Sequence, residues 1–187
     1  MVKMNKNKSL WKKAIKTIPS GNSFLSKNPS RFKSNEWPTY FSKSKGSMIW
    51  DLNGKKYCDF SLMGVGTNIL GYSNAKIDKE VIRKIKDGNM TTLNCPEEVI
   101  FSNKLLNLHP WAKMAKFAKT GAEANAIAIR LGRAYNKKNK IIICGYHGWH
   151  DWYLSAIYSK KNYLDTHLFP NLKTEGVPKF LKNYTYS

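Results

Sequence analysis

Apolar positions recur every three to four residues in several stretches of the chain and every second residue in one. This predicts amphipathic helices around a β-hairpin and a buried strand. Leu10, Trp11, Ala14, Ile15 and Ile18 form the first stripe, with Ser9 as candidate cap and Pro19-Ser20-Gly21 as the stop. Residues 21–45 are rich in Ser, Asn, Lys and Pro without periodicity, which reads as an extended arm. Met48, Trp50 and Leu52 then alternate, Asn53-Gly54 supplies a tight turn, and Tyr57 to Phe60 returns as the second strand of a hairpin. Gly64, Gly66 and Gly71 mark a loop that passes close to another backbone or lies at a ligand mouth.

Ile77, Val81 and Ile85 predict a helix with acidic residues early, Lys84 and Lys86 late and Gly88 at its end. Pro96 with Glu97 and Glu98 opens another, which carries Phe101, Leu105 and Leu108 and closes before Pro110. Met114–Lys119 reads as a short strand, and Ile141, Ile142 and Ile143 as a β-branched run suited to a buried one. A further helix runs through Trp152, Leu154 and Ile157, and Asn183 to Tyr186 hints at a last strand.

The segment 119–151 carries the specific chemical signal. Thr120 and Glu123 have capping-box spacing, so a helix starts there, with Ala124, Ile127, Ala128, Leu131, Ala134 and Tyr135 on its apolar face. Gly121 lies in the turn that enters this helix, where unused N–H groups and the positive end of the helix dipole can seat a phosphate. A plain well-capped helix has the same local signature, and local sequence alone favours it. The strand at 141–143 shifts the balance, because it ends in Gly145, Tyr146, His147 and Gly148. Ligands gather at the carboxyl ends of strands in α/β sheets. Two neighbouring strand ends would therefore offer a phosphate seat beside an aromatic ring able to lie on a flat heterocycle. His147, His150 and Asp151 could instead be metal ligands, but the flanking glycines argue for a turn and no fourth ligand is spaced nearby.

Thr120-Gly121-Ala122-Glu123-Ala124, the helix ending in Arg130-Leu131-Gly132-Arg133, and Tyr146-His147-Gly148 with Asp151 resemble the class III aminotransferases, most closely the glutamate-1-semialdehyde 2,1-aminomutase branch. Ile18-Pro19-Ser20-Gly21, the segment 46–60 and Ile69-Leu70-Gly71-Tyr72 follow the family's order. The resemblance implies an α/β fold of type I. An N-terminal segment over 1–72 (helix, extended arm, hairpin) would be followed over 73–187 by the first half of a three-layer α/β/α large domain with a mostly parallel sheet. It implies pyridoxal 5′-phosphate (PLP) as cofactor, bound at Thr120, Gly121, Ala122, Tyr146 and His147. In that scheme the Gly121 and Ala122 backbone N–H groups hold the phosphate, Tyr146 stacks on the pyridine ring and His147 lines the site. It further implies a small-molecule amino donor and acceptor, and a homodimer for the full-length enzyme.

The family's Schiff-base lysine and the aspartate that pairs with the pyridinium nitrogen lie well beyond the Tyr-His-Gly turn. Neither is matched here, so no catalytic residue is assigned, and the chain reads as the front part of a longer enzyme, inactive alone. Ala122 departs from the hydroxyl residue usual in the aminomutase branch, and Met63 from a frequent aromatic. Ser23 falls where the branch has a substrate contact, but also reads as an ordinary loop serine.

Lys and Arg number 32 against 12 Asp and Glu, a formal +20 in 187 residues. That balance raises a different class of function, a basic protein for RNA or an acidic surface. The lysines are scattered through amphipathic segments, as on solvated faces, and no nucleic-acid reader motif accompanies them. An inactive remnant is the other alternative. Cys58, Cys95 and Cys144 show no paired spacing, which points to a reducing, cytoplasmic compartment. The basic N-terminus has no apolar stretch behind it, and no run reaches the length of a membrane span.

Overall fold

The computed structural model describes residues 5–32, 36–61, 63–159 and 174–186. By contacts the chain divides into two units, Met1–Asn94 and Cys95–Ser187.

In the first unit, helix α1 (Lys6–Thr17) is capped by Asn5 rather than Ser9. The Asn5 side chain accepts from the Lys8 N–H at 3.2 Å and from Asn53 Nδ2 at 3.2 Å. One cap thereby also ties the helix to the hairpin turn, which a local reading of Ser9 could not anticipate. Ala14 is buried, but Leu10, Ile15 and Ile18 stay exposed. Gly21 has φ +76°, and a Cβ there would stand 2.5 Å from the Trp11 ring, so this turn accepts only glycine.

The arm is more ordered than its composition suggests. It holds short 3₁₀ turns at Pro19–Gly21, Leu25–Lys27 and Pro29–Arg31, then strand β1 (Phe41–Lys45). β1 pairs antiparallel with β2 (Met48–Asp51), and β2 with β3 (Lys56–Cys58), giving the order β1-β2-β3. β1 lacks the alternating apolar positions of a strand because one face is basic: Lys43 and Lys56 both lie over the Trp50 ring, at 4.7 and 5.5 Å.

The β2-β3 turn differs from an Asn-Gly pair with two positive φ angles. Only Gly54 is positive, at +83°, and Asp51 organises the turn. Its Oδ1 accepts from the Asn53 and Lys55 N–H groups at 2.8 and 2.9 Å. Its Oδ2 accepts from Asn7 Nδ2 at 3.1 Å and from the Tyr57 hydroxyl at 3.3 Å. Past β3, Tyr72 exchanges both backbone hydrogen bonds with Gly46, and Gly71 lies against Gly46, a Cβ there falling 3.1 Å from the Gly46 Cα. Of the three glycines of this loop, Gly71 is the one that lies against a neighbouring backbone. Helix α2 (Ala75–Asp87) starts at Asn74 and stops at Gly88, φ +95°. Its stripe of Ile77, Val81, Ile82 and Ile85 is exposed.

The second unit opens with α3 (Pro96–Leu108). Residues 114–119, expected as a strand, form none. A strand needs a paired neighbour to satisfy its backbone, and no described strand lies beside them. Helix α4 (Gly121–Asn136) follows, then β4 (Ile141–Ile142), which pairs in parallel with β5 (Thr185–Tyr186). The helix expected through Trp152 and Ile157 is two short ones, α5 (Asp151–Leu154) and α6 (Ala156–Ser159), separated at Ser155.

Tyr153, Leu154, Ala156 and Val177 form the core, with Ile143, Trp152, Ile157, Tyr158 and Leu181 packed on it. Thr185, fully buried, donates to the Trp152 carbonyl at 2.6 Å and locks β5 onto α5. The outer faces are open: Ile142 is 86% exposed, and Leu131 and Tyr135 on α4 are exposed too.

Candidate functional site

The capping box predicted from Thr120 and Glu123 is present in full. Thr120 Oγ1 accepts from the Glu123 N–H at 3.2 Å, and Glu123 Oε2 accepts from the Thr120 and Lys119 N–H groups at 2.9 and 3.0 Å. The Ala124 N–H goes to the Thr120 carbonyl at 3.0 Å. Of the first-turn amides, those of Gly121 and Ala122 are therefore left without an acceptor among the described residues. A Cβ built on Gly121 would meet nothing within 4 Å, so space lies open there.

The 145–148 turn lies against this helix start. Gly148 has φ +109°, and a Cβ on it would stand 2.7 Å from the Ala122 Cβ. Only glycine permits that contact. Asn125 Nδ2, in the first turns of α4, donates to the His147 carbonyl at 3.4 Å. Helix start and turn are thus brought together by a glycine contact and a side-chain hydrogen bond, without the paired strands that sequence reasoning used to place them side by side.

Within the turn, His147 Nε2 lies 2.8 Å from the Cys144 carbonyl, so the ring folds back on its own chain. Tyr146 is 54% exposed. Its ring stands edge-on to Tyr153, centroids 5.9 Å apart at 83°. Gly145, φ +84°, turns the chain out of β4 to allow this. Burial pushes the Tyr153 phenol above its ordinary pKa, with the backbone N–H of His147 pulling the other way.

All five residues singled out in the sequence, Thr120, Gly121, Ala122, Tyr146 and His147, therefore fall around one junction. Asn125 and Tyr153 also bear on it, and sequence reasoning missed both. Asn125 carried no signal beyond its polar position on α4. Tyr153 follows the turn by less than two helical turns, but nothing in the sequence set it apart from the aromatic residues around it. His150 stacks on Trp149, Asp151 opens α5, and among the described residues no three His, Cys, Asp or Glu side chains converge as metal ligands.

The donors fit a phosphorylated aromatic cofactor. Two amides at the positive end of a helix dipole suit a phosphate, and the exposed phenol ring of Tyr146, carried by the turn packed there, suits a flat ring.

Comparison with known proteins bears on identity. A 3-aminobutyryl-CoA aminotransferase from Cloacimonas acidaminovorans is 38% identical over 152 residues, 81% of this chain and 36% of that protein. A glutamate-1-semialdehyde 2,1-aminomutase from Methanobrevibacter smithii is 32% identical over 183 residues, 97% of this chain and 40% of that protein. A transaminase solved with PLP bound superposes with a TM-score of 0.72 at 25% identity, over 98% of this chain and 42% of that one. The chain spans well under half the length of these proteins, and its α/β architecture matches the corresponding part of the transaminase fold. The family described as aminotransferase class-III matches residues 31–186, so this chain belongs to the class-III aminotransferases.

Proposed function

We propose that this chain supplies the phosphate seat and ring-stacking face of a PLP-dependent enzyme that moves an amino group, between substrates as an aminotransferase or within one as an aminomutase. The single observation that supports the reading is the contact of Gly148 with Ala122, which packs the turn carrying Tyr146 and His147 onto the start of α4. Family membership supports the cofactor, and a solved structural relative carries PLP.

In this reading Thr120 fixes the helix start through its cap, and the Gly121 and Ala122 N–H groups donate to the phosphate. Ala122 offers no hydroxyl, so its contribution is the backbone alone. Tyr146 covers one face of the pyridine ring and excludes water from it, while His147 lines the adjacent wall. Bound PLP supplies an electron sink for the pair left when an amino donor loses its α-proton. Moving that proton needs a base on the cofactor-carrying lysine, and none of the lysines here takes that role.

The chain alone would therefore hold the cofactor without turnover. The division into an N-terminal segment, 1–72, and part of a PLP-binding domain, 73–187, belongs to the same proposal. So do a homodimeric full-length enzyme, a small-molecule amino donor and acceptor, and a cytoplasmic site of action.

The experiment is to add PLP, reduce with borohydride and map the peptides. Scattered, substoichiometric pyridoxyl-lysine with no turnover of amino donors is expected. Stoichiometric labelling of one lysine with turnover would refute the assignment of the catalytic lysine to a segment outside these residues.

A further inference from the structure

We propose that Tyr153 is the positioning residue for Tyr146 and His147, holding the two rings in the orientation that a flat, phosphorylated heterocycle requires. The inference rests on the cofactor reading above and deepens it.

Tyr153 is fully buried, one of the few side chains so placed among the described residues. Its ring meets Tyr146 edge-on at 5.9 Å and 83°, and His147 edge-on at 6.1 Å and 86°. Its hydroxyl donates to the Gly145 carbonyl at 3.3 Å, the residue just before the pair. One anchored phenol therefore touches the backbone ahead of the pair and both of its rings. Anchorage comes from the core, since Tyr153 packs with Leu154, Ala156 and Val177 and against Trp152 at 5.8 Å.

The turn itself needs such a support. Gly145 and Gly148 flank the pair at φ +84° and +109°, a backbone that costs glycine little and therefore constrains ring direction weakly. The Ala122 contact and the Asn125 hydrogen bond fix where the turn lies. Neither touches the Tyr146 ring, while the His147 ring has a further tether at the Cys144 carbonyl, 2.8 Å away. Edge-on aromatic pairs shift an orientation equilibrium by about two- to tenfold each, enough to decide which rotamer an exposed ring adopts. The hydroxyl bond is long for O–H···O, so its share is at the low end of that range.

The test uses the full chain, with PLP and inorganic phosphate titrated separately, and nuclear Overhauser contacts measured among the three rings. In the unsubstituted chain, cross-peaks from Tyr153 to both Tyr146 and His147 are expected. Tyr153→Phe should weaken PLP about two- to fivefold and leave inorganic phosphate unchanged, because the Gly121 and Ala122 amides are untouched. Tyr153→Leu should lose a further factor of about ten in PLP, again sparing phosphate. Missing cross-peaks would overturn the proposal. So would a Tyr153→Phe chain that binds PLP as the parent does, or one that loses PLP and phosphate alike. If Tyr153→Leu fails to fold, the cross-peaks and Tyr153→Phe decide. Failure of the cofactor reading is seen separately, as absence of phosphate-competed PLP binding by the unsubstituted chain, and the cross-peaks then still decide whether Tyr153 holds the pair.

Discussion

Gly148 is pressed against Ala122 so closely that a Cβ on the glycine would stand 2.7 Å from the alanine Cβ. Gly148→Ala combines that overlap with a φ of +109°, so it should destabilise the second unit by about 1–3 kcal/mol and push the turn off the helix start. Gly145→Ala carries only the backbone term at φ +84°, with nothing within 4 Å, and should cost about 1 kcal/mol. Urea midpoints of the two variants check the order. Equal costs would mean that the Ala122 contact does not matter.

The cap of α4 serves three amides, those of Glu123, Thr120 and Lys119, through Thr120 and Glu123 together. Thr120→Ala and Glu123→Ala should each cost about 1 kcal/mol by chemical denaturation. The double variant should cost less than their sum, since each loss leaves the box half-made. Strict additivity would show that the two halves act independently.

Asp51 links α1 to the hairpin and is buried. Burial alone would raise its pKa, yet hydrogen bonds from the Lys55 and Asn53 N–H groups, Tyr57 and Asn7 together hold it below the ordinary carboxylate range. A depressed folded-state pKa contributes stability above the unfolded value of about 3.9, lost as pH falls through the folded one. Asp51→Asn should therefore lower stability near neutral pH by about 1–3 kcal/mol and flatten the acid limb of the stability profile. Thermal melts between neutral pH and pH 3 measure both effects.

Tyr72 donates to Asp59 Oδ2 at 2.6 Å and braces the loop that returns to Gly46. Burial, then the Asp59 hydrogen bond and charge, push its phenol up to about 12. A raised pKa contributes stability that is complete below the unfolded value of about 10 and lost as pH rises through the folded one. Between those values the first unit should weaken in the parent chain. Tyr72→Phe should be less stable at neutral pH by about 1–2 kcal/mol and lose less over that alkaline window, where Tyr40 and Tyr57, also raised by burial, still contribute. Alkaline denaturation followed by tryptophan fluorescence distinguishes them.

What was legible in the sequence was local chemistry. The Gly88 stop of α2, the Pro96 start of α3 and the Thr120–Glu123 box of α4 are all present as read, and the cofactor motifs lined up from sequence alone, whereas the Asn74 cap of α2 was not read. What was hidden depended on distant partners. Lys43 of β1 lies on Trp50 across the sheet, and the Asn5 cap of α1, made locally with the Lys8 N–H, is also tied to Asn53 of the hairpin turn. Residues 114–119 show the reverse, an apolar run that no described neighbour turns into a strand. The start of α4 and the 145–148 turn do lie together, but through Gly148 on Ala122 and Asn125 on the His147 carbonyl rather than through the paired strand ends that the sequence suggested.

The most direct measurement is equilibrium titration of the full chain with PLP, followed by the cofactor's absorbance, with inorganic phosphate as competitor and Tyr146→Ala as comparison. Saturable binding that phosphate displaces, and that Tyr146→Ala weakens by about five- to fiftyfold through the lost ring contact, is the predicted result. Binding that is absent, indifferent to phosphate, or unchanged when Tyr146 is removed would contradict a cofactor seat at this junction.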